Sequence, residues 1–325
     1  MSPAADSANV VAMTNRHALT SIFTKRGDRA ERGQARNLTL AAGDGAEHGQ
    51  ARNPTPAATD RSGRGRARSL TLAAAIGSAA IFTAATAPPA NAIIGGRDAT
   101  ENYSFTVTLR DGKGVHYCGA TLVAPQWVVT AGHCSHVPIG QVSAKVGGTN
   151  VEKGGSVRRV TKIVRHPDYT ADPNDLRHDI ALFKLDRPVR ETPIRIAARP
   201  GAPKTQIRLL GWGMTCEDGN ECPEPPTTLQ ELDSDIVPDS RCAGIDAASD
   251  ICSRHPTKKA QSCILDSGGP MVRKFGTRWE LVGITSRDGD EMTDPNCVGP
   301  GVWTDAAAYK TWIRRTTGTP HPTPA

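Results

Sequence analysis

A serine stands in a glycine-rich turn in the sequence Cys-Ile-Leu-Asp-Ser-Gly-Gly-Pro, which occupies residues 263–270. Two further polar clusters lie upstream of it, each at one end of an apolar run. They are Val-Thr-Ala-Gly-His-Cys at residues 129–134 and Arg-His-Asp-Ile-Ala-Leu at residues 177–182. The three clusters place a serine, a histidine and an aspartate beside segments that have the character of β-strands.

These residue types are the ones that a serine nucleophile requires. A base must take the hydroxyl proton, an acid must orient that base, and backbone N–H groups must bind the oxyanion. His133 and Asp179 supply the base and the acid, and the glycine turn around Ser267 supplies N–H groups. Each residue alone has a structural explanation, as a satisfied histidine, a strand-end cap or a turn. Their joint occurrence favours a catalytic set.

The segments around the clusters have the pattern of an all-β domain. From residue 93 onward, short apolar runs such as residues 106–109, 127–130 and 302–304 are separated by Gly, Pro, Asn and Asp. This rhythm is typical of a β-sandwich or a β-barrel. One C-terminal helix is predicted: Asp305 is its candidate cap, and one face of it would carry Tyr309, Trp312 and Ile313.

Composition and charge exclude two classes of protein. The 325 residues are 38% hydrophobic, which excludes wholesale disorder. The net charge of +6 belongs to the N-terminal segment, because residues 1–92 hold 11 Lys and Arg against 6 Asp and Glu, and the remaining residues hold 28 against 27. The main part of the chain is nearly neutral, so we predict no nucleic-acid partner.

Residues 61–92 have the features of a secretory signal peptide. Four arginines precede a mildly apolar stretch at residues 70–85, which is followed by two prolines and an Ala-Asn-Ala cleavage site at residues 90–92. The alternative is a membrane anchor, which the weak hydrophobicity and the prolines disfavour. Residues 1–60 contain a polar 16-residue repeat, and we expect them to be a disordered extension.

The cysteines indicate an oxidising compartment. All eight lie between Cys118 and Cys297, and they form no C-x-x-C pair. An even count without such pairs predicts disulfides and not a zinc site. The histidines outside the candidate set show no ligand spacing in the sequence, so we predict no metal site and no cofactor; they include His116, His166, His178 and His255.

The three clusters resemble those of the chymotrypsin-like serine peptidases, which have the trypsin fold, and in particular their secreted bacterial members. The similarity extends from Ile93 to about Arg315 and includes Gly-Trp-Gly at residues 211–213 and Gly-Val-Trp-Thr at residues 301–304. The order His, Asp, Ser along the chain matches this family. It differs from the order in the α/β-hydrolases, whose G-x-S-x-G elbow also fails because Leu265 stands at its first glycine.

The resemblance implies two six-stranded antiparallel β-barrels with the catalytic set in the cleft between them. This peptidase domain would span residues 93–315 and would be followed by a flexible tail at residues 316–325. His133 would be the general base, Asp179 its orienting acid and Ser267 the nucleophile.

The resemblance also implies a disulfide pattern and an oxyanion site. The N–H groups of Leu265 and Ser267 would bind the oxyanion. The implied disulfides are Cys118–Cys134, Cys263–Cys297 and Cys242–Cys252, and Cys216 and Cys222 are left to pair with each other. The sequence by itself does not determine this connectivity.

The sequence Ile-Ile-Gly-Gly at residues 93–96 directly follows the predicted cleavage site. Members of the family mature by exposing such a terminus, whose amino group pairs with the carboxylate next to the nucleophile. We therefore expect signal peptidase itself to create the active terminus, without an inhibitory pro-segment. The Ile93 ammonium would then pair with Asp266.

Several positions depart from the family pattern. Leu265 stands where a glycine is usual, and its Cβ disfavours unusual backbone angles, so either the turn tolerates leucine or the oxyanion site is weak. Gln261 corresponds to the floor of the family's specificity pocket and lacks the carboxylate that a buried cation needs, so we do not predict simple trypsin specificity. The wall and rim of that pocket correspond to Ser286, Arg287, Asp288 and Gly301.

Two roles are open for the charges on the pocket wall. Asp288 could receive a basic group of the substrate, or it could form a salt bridge with Arg287. We expect a polar or mildly basic preference.

The leading hypothesis is a secreted, monomeric serine endopeptidase that hydrolyses protein or peptide substrates through an acyl-enzyme, without stable membrane association after signal cleavage. The alternative is a catalytically impaired homologue that acts as a binding module, because fold alone does not establish activity. An esterase without peptidase activity is the third hypothesis.

Overall fold

The computed structural model describes residues 93–172, 175–216, 222, 224–290 and 297–318. The predicted disordered extension and signal peptide lie outside the described residues, as do residues 319–325 of the predicted tail. No helix within the described part of the chain combines the length and the apolar composition needed to cross a membrane.

The described residues form fourteen strands and one α-helix. In chain order the strands are β1 (Arg97–Asp98), β2 (Thr106–Arg110), β3 (His116–Ala124), β4 (Trp127–Thr130), β5 (Ser143–Val146), β6 (Ser156–Arg165), β7 (Ala181–Leu185), β8 (Arg195–Ile196), β9 (Gln206–Gly211), β10 (Gln230–Ile236), β11 (Asp250–Arg254), β12 (Pro270–Phe275), β13 (Arg278–Asp288) and β14 (Gly301–Asp305). The helix α1 spans Lys310–Thr317, and short 3-10 helices lie at Gly132–His136, Ile139–Gln141 and Asp239–Arg241.

The strands close two antiparallel barrels of six strands each. The first barrel has the order β2-β3-β4-β7-β6-β5, and its strands bury apolar side chains such as Leu109, Leu122 and Phe183. The second has the order β10-β11-β14-β13-β12-β9 and closes where β9 pairs with β10. Its core includes Leu209, Met271 and Trp303. The predicted all-β fold of two six-stranded barrels is confirmed.

The apolar runs that predicted strands lie in strands, at β2, β4 and β14. The predicted helix is present, but its predicted cap is wrong. Asp305 ends β14, and its carboxylate accepts a hydrogen bond from the N–H of Ala307 at 2.7 Å in the turn that follows. The helix therefore begins five residues later, at Lys310, and it ends at Gly318 in the left-handed conformation that commonly terminates helices.

The structure contains four disulfides, with the pairing that the resemblance implied: Cys118–Cys134, Cys216–Cys222, Cys242–Cys252 and Cys263–Cys297. The first ties β3 to the 3-10 helix Gly132–His136. Each bridge lowers the conformational entropy of the unfolded chain. The four bridges therefore stabilise the folded state of a domain that is rich in turns.

A backbone contact joins the two barrels at the serine turn. The N–H of Gly119 in β3 donates to the carbonyl of Ser267 at 2.8 Å. A Cβ on Gly119 would lie 2.8 Å from the Cα of Gly269, closer than side chains normally approach backbone. Glycine is therefore required here for the turn after β11 to pack on the first barrel.

Candidate active site

The first barrel positions a histidine against a buried aspartate. His133 follows β4 in the 3-10 helix Gly132–His136, and Asp179 directly precedes the buried residues at the start of β7. Nδ1 of His133 donates to Oδ2 of Asp179 at 2.8 Å, and the backbone N–H of His133 donates to Oδ1 at 2.8 Å. The side chain of Asp179 is fully buried, and that of His133 is 31% exposed. The carboxylate thereby orients the imidazole and selects the tautomer with the proton on Nδ1.

The second barrel supplies further donors to the same aspartate. The hydroxyl of Ser286 in β13 donates to Oδ2 of Asp179 at 2.7 Å, and the hydroxyl of Thr304 in β14 donates to its backbone carbonyl at 3.0 Å. Sequence reasoning assigned Ser286 to the pocket wall and missed this contact. No local signal reveals it, since 107 residues separate the two partners.

The pair also sets the protonation of both groups. Burial raises the pKa of Asp179, but the charge and hydrogen bonds of His133 and the Ser286 hydroxyl lower it by a larger amount. The pKa of Asp179 is therefore below its usual value. Burial lowers the pKa of His133, but the adjacent Asp179 carboxylate raises it by a larger amount. The pKa of His133 is therefore above its usual value. Asp179 is therefore ionised at neutral pH, and His133 is an effective proton acceptor.

Two consecutive tight turns carry Ser267. The N–H of Asp266 donates to the carbonyl of Cys263 at 2.9 Å, and the N–H of Gly269 donates to the carbonyl of Asp266 at 2.8 Å. Ser267 is half-buried between them, and its carbonyl is bound by β3 of the first barrel. The Cys118–Cys134 bridge connects that strand to the segment that carries His133. The structure thus brings the serine turn to the histidine-bearing edge of the first barrel.

Leu265 occupies the third position of the first turn with a φ of 77°. That position of a tight turn with positive φ normally holds glycine or asparagine. A leucine there costs about 1–2 kcal/mol. The side chain is nevertheless buried, and the turn hydrogen bond is intact. The turn therefore holds leucine in the left-handed region that glycine would favour.

Asp266 is the second buried carboxylate of the site. Its Oδ1 accepts from the N–H of Gly213 at 2.7 Å, and its Oδ2 accepts from the N–H of Cys263 at 2.9 Å. Burial raises the pKa of Asp266 to about 7, although these backbone donors oppose the rise. Neutral donors bind the carboxylate without balancing its charge, so this position favours a cation nearby.

The Ile-Ile-Gly-Gly segment contacts residues that precede Asp266 in the chain. Ile93 is fully buried, and Ile94 pairs with Gln261 through backbone hydrogen bonds of 3.0 and 3.2 Å. Ile94 also packs against Cys263, whose N–H binds Asp266. The φ of Ile93 is 72°, a conformation that a β-branched residue strongly disfavours.

The structure brings three of the predicted pocket residues together. The Gln261 carboxamide is buried, and its Nε2 donates to the carbonyl of Gly299 at 3.4 Å. A Cβ on Gly301 would overlap the Gln261 side chain. Asp288 in β13 is paired with Gly301 in β14, and residues opposite each other in antiparallel strands project on the same face. Asp288 therefore lies on the face that holds Gln261.

The salt bridge considered between Arg287 and Asp288 is not formed. Nη2 of Arg287 lies 2.7 Å from Oδ2 of Asp250 and donates to the carbonyl of Gly244 at 2.7 Å. The Asp288 carboxylate instead accepts from the N–H of Asp290 at 3.1 Å. The sequence placed Arg287 next to Asp288, but alternation along the strand directs the two side chains to opposite faces.

Comparisons with known proteins agree with this geometry. A family model described as Trypsin matches residues 93–313. A trypsin from Saccharopolyspora erythraea is 32% identical over 229 residues, which cover 67% of this chain and 94% of that protein. Serine protease 1 from Homo sapiens is 34% identical over 236 residues, which cover 69% of this chain and 89% of that protein. Transmembrane protease serine 11C from Mus musculus is 33% identical over 241 residues, which cover 70% of this chain and 54% of that protein.

We expect the pKa of His133 to lie above 6.5 and to fall below 6.5 in the Asp179→Asn variant, because burial then acts without the opposing carboxylate. Titration of the His133 ring signal by NMR measures both values. Asp168→Asn is the matched control, since that carboxylate lies near His166 and should leave His133 unchanged. An unchanged pKa in Asp179→Asn would contradict the assigned cause.

Proposed function

The chain belongs to the trypsin family of serine peptidases and is a serine-type endopeptidase that acts on protein substrates, and we propose that Ser267, His133 and Asp179 form its catalytic triad. The observation that carries the proposal is the 2.8 Å contact between Nδ1 of His133 and the buried, ionised Asp179. Because Nδ1 carries the proton in this contact, Nε2 of the imidazole is left as the proton acceptor. The imidazole lies at the edge of the first barrel, which also binds the serine turn.

Peptide hydrolysis then follows in two steps. Nε2 of His133 takes the hydroxyl proton as Oγ of Ser267 attacks the scissile carbonyl carbon, and the resulting imidazolium protonates the leaving amine as the C–N bond breaks. Water, deprotonated by His133, attacks the acyl-enzyme and releases the acid and the free serine. The N–H groups of Leu265 and Ser267 bind the oxyanion in both steps, supported by the left-handed φ of Leu265, which matches the conformation that glycine would adopt.

We assign maturation to the bond before Ile93. A free amino group at Ile93 would supply the cation that the buried Asp266 carboxylate lacks, and it would pair with Asp266. The positive φ of Ile93 supports this, because φ is defined only while residue 92 is attached and cleavage removes the constraint. Signal peptidase acting at residues 90–92 would therefore release the active enzyme directly.

The four disulfides fit an extracellular protein. We accordingly assign the signal peptide to residues 61–92, the peptidase domain to residues 93–315, and secretion as a monomer without stable membrane association. Residues 1–60 are assigned no function, and residues 316–325 are assigned as a flexible tail.

The pocket geometry favours substrates with a basic side chain next to the scissile bond. Asp288 provides the negative charge, since Arg287 is bound to Asp250 and does not neutralise it. Gln261 provides neutral hydrogen-bonding groups at the floor, and the absence of a side chain on Gly301 makes room for the Gln261 carboxamide. Because Asp288 is half-exposed, its contribution is smaller than that of a fully buried carboxylate.

We expect a fluorophosphonate to label the mature wild-type protein stoichiometrically and to leave Ser267→Ala unlabelled, because only an activated serine reacts. Leu265→Gly should change the labelling rate by less than about tenfold, since the wild-type turn already has the required φ. Mass spectrometry of the labelled protein measures each rate. Absence of labelling on folded wild type, with recovery of about a hundredfold or more in Leu265→Gly, would favour the binding module instead. Ester turnover without peptide turnover would favour the esterase.

We expect the secreted chain to begin at Ile93, as Edman sequencing would show. Asp266→Asn should fold but lose nearly all activity, because removal of one partner from a buried ion pair costs about 3–5 kcal/mol. Circular dichroism and peptide hydrolysis separate the two effects. Full activity of Asp266→Asn would refute the pairing, and a mature chain that starts upstream of residue 93 would refute direct processing.

We expect wild type to prefer Arg or Lys over a neutral residue before the scissile bond, and Asp288→Asn to reduce kcat/KM for the basic substrates about fivefold, mainly through KM. Neutral substrates should be affected less. Matched peptide libraries measure the ratio, and Asp239→Asn, an exposed residue in the 3-10 helix Asp239–Arg241, is the control. An equal loss on both substrate classes would contradict the role of Asp288.

A further inference from the structure

Three potential metal ligands meet outside the catalytic set. His166 and Asp168 follow β6, and His178 precedes β7. One ligand atom from each of them lies within 4.8 Å of the other two. The rings of His166 and His178 are stacked, with centroids 5.3 Å apart and planes 18° apart. Nδ1 of His166 lies 3.8 Å from Oδ2 of Asp168 and accepts a hydrogen bond from the backbone N–H of Asp168 at 3.3 Å, which leaves Nε2 of His166 as its ligand atom. The sequence concealed this cluster, because twelve positions separate the two histidines.

Helix α1 and its N-terminal flank hold the two imidazoles in place. The hydroxyl of Tyr309 lies 2.7 Å from Nδ1 of His178, which leaves Nε2 as the ligand atom. Histidine ligands characteristically make such a second hydrogen bond, which orients the ring. The rings of Tyr309 and Trp312 contact the ring of His166 edge-on, with ring centroids 5.0 and 5.1 Å away. The backbone N–H of His166 also donates to the carbonyl of Ile180 at 3.0 Å.

The donor set and its surroundings suit a transition metal. Two imidazoles and one carboxylate are ligands that Zn²⁺, Cu²⁺ and Ni²⁺ accept, whereas Ca²⁺ and Mg²⁺ prefer oxygen. Both histidines are half-buried and Asp168 is exposed, so water can complete the coordination. A cavity of about 400 Å³ bordered by both histidines and by the carboxylate of Asp246 gives an ion access.

We propose that His166, Asp168 and His178 bind one divalent transition-metal ion, and that its binding lowers catalytic activity through Asp179. His178 directly precedes Asp179 and has a φ of 55°, and the N–H of Ile180 closes a tight turn to the carbonyl of His178 at 2.7 Å. The backbone that carries a metal ligand is therefore the backbone that aims the catalytic carboxylate. This coupling rests on the proposed role of Asp179.

The direction of the effect follows from coordination geometry. With Zn–N distances of about 2.0–2.1 Å, neighbouring ligand atoms of a tetrahedral ion are about 3.4 Å apart. Any pair of ligand atoms that lies farther apart than this, within the 4.8 Å that encloses the cluster, would move closer together when an ion binds. A displacement of about 1 Å in a catalytic group is enough to reduce a rate by about a hundredfold. Because His178 and Asp179 are adjacent in the chain, a shift of the His178 backbone would displace Asp179 from its hydrogen-bonded position beside His133.

A second cluster of potential ligands lies at the catalytic histidine itself. It consists of His133 with Cys118 and Cys134, but both sulfurs are joined in a disulfide and do not act as thiolate ligands. Metal ions also bind weakly to isolated histidines, so the experiment must distinguish inhibition at His133 from inhibition at the proposed site.

The test is titration of the mature protein with ZnCl₂, followed by isothermal calorimetry. We expect one ion per chain in wild type and affinity at least about tenfold weaker in His178→Asn, since asparagine tolerates the positive φ of this position. His166→Gln is a second variant for the same comparison. The matched control is His255→Asn, which removes a half-buried histidine outside the cluster and should bind Zn²⁺ like wild type. Equal binding by wild type and both cluster variants, or no stoichiometric binding, would overturn the site.

Activity provides the second readout. We expect Zn²⁺ to lower kcat for a peptide substrate over the range in which the site fills, with little change in KM. His178→Asn, compared with its own zinc-free rate, should keep its activity over that range. Inhibition of His178→Asn at the wild-type concentration would place the inhibitory ion at His133 and overturn the coupling. A protein that binds Zn²⁺ at the cluster but never hydrolyses peptides would refute the proposed function and support the metal site.

Discussion

The burial of one ionised carboxylate constrains the rest of the site. Asp179 has no exposed surface, so its charge is stable only while the imidazole and N–H of His133 and the hydroxyl of Ser286 all bind it. His133 belongs to the first barrel and Ser286 to the second. The two barrels must therefore close against each other for the carboxylate to remain ionised, and removal of a partner from such a group costs about 3–5 kcal/mol.

The two buried aspartates differ in their electrostatic surroundings, and this difference matches the catalytic and maturation roles that we propose for them. Asp179 faces an imidazole, and the pKa of its carboxyl is below the usual value. Among the described residues, Asp266 is bound by backbone N–H groups, and burial raises its pKa to about 7. Donors without a charge solvate an anion but do not balance it. The charge of the first carboxylate is balanced by its hydrogen-bond partners, and that of the second would gain most from a cation supplied by the proposed cleavage.

Backbone strain is concentrated around the same centre. Among the described residues, six that are not glycine have positive φ, and three of them adjoin residues of the proposed site. Leu265 lies two residues before the serine, His178 directly precedes Asp179, and Ile93 lies at the proposed terminus. Each such conformation costs about 1–3 kcal/mol and persists only where the surrounding packing imposes it. These positions are accordingly where the proposed cleavage at Ile93 or the proposed ion at His178 would act on the proposed site.

Local patterns in the sequence determined the strands, the disulfide-forming composition and the identity of His133, Asp179 and Ser267 as candidates, because alternation and turn chemistry act over a few residues. Contacts between distant strands were decided only by barrel closure. Ser286 reached Asp179 across 107 positions, and Arg287 turned away from its neighbour Asp288 toward Asp250. His166 and His178 met because β6 and β7 are paired, and Asp305 ended a strand instead of beginning a helix. A hydrogen bond or ion pair depends on position in space, and one-dimensional spacing does not specify that position until the sheets have closed.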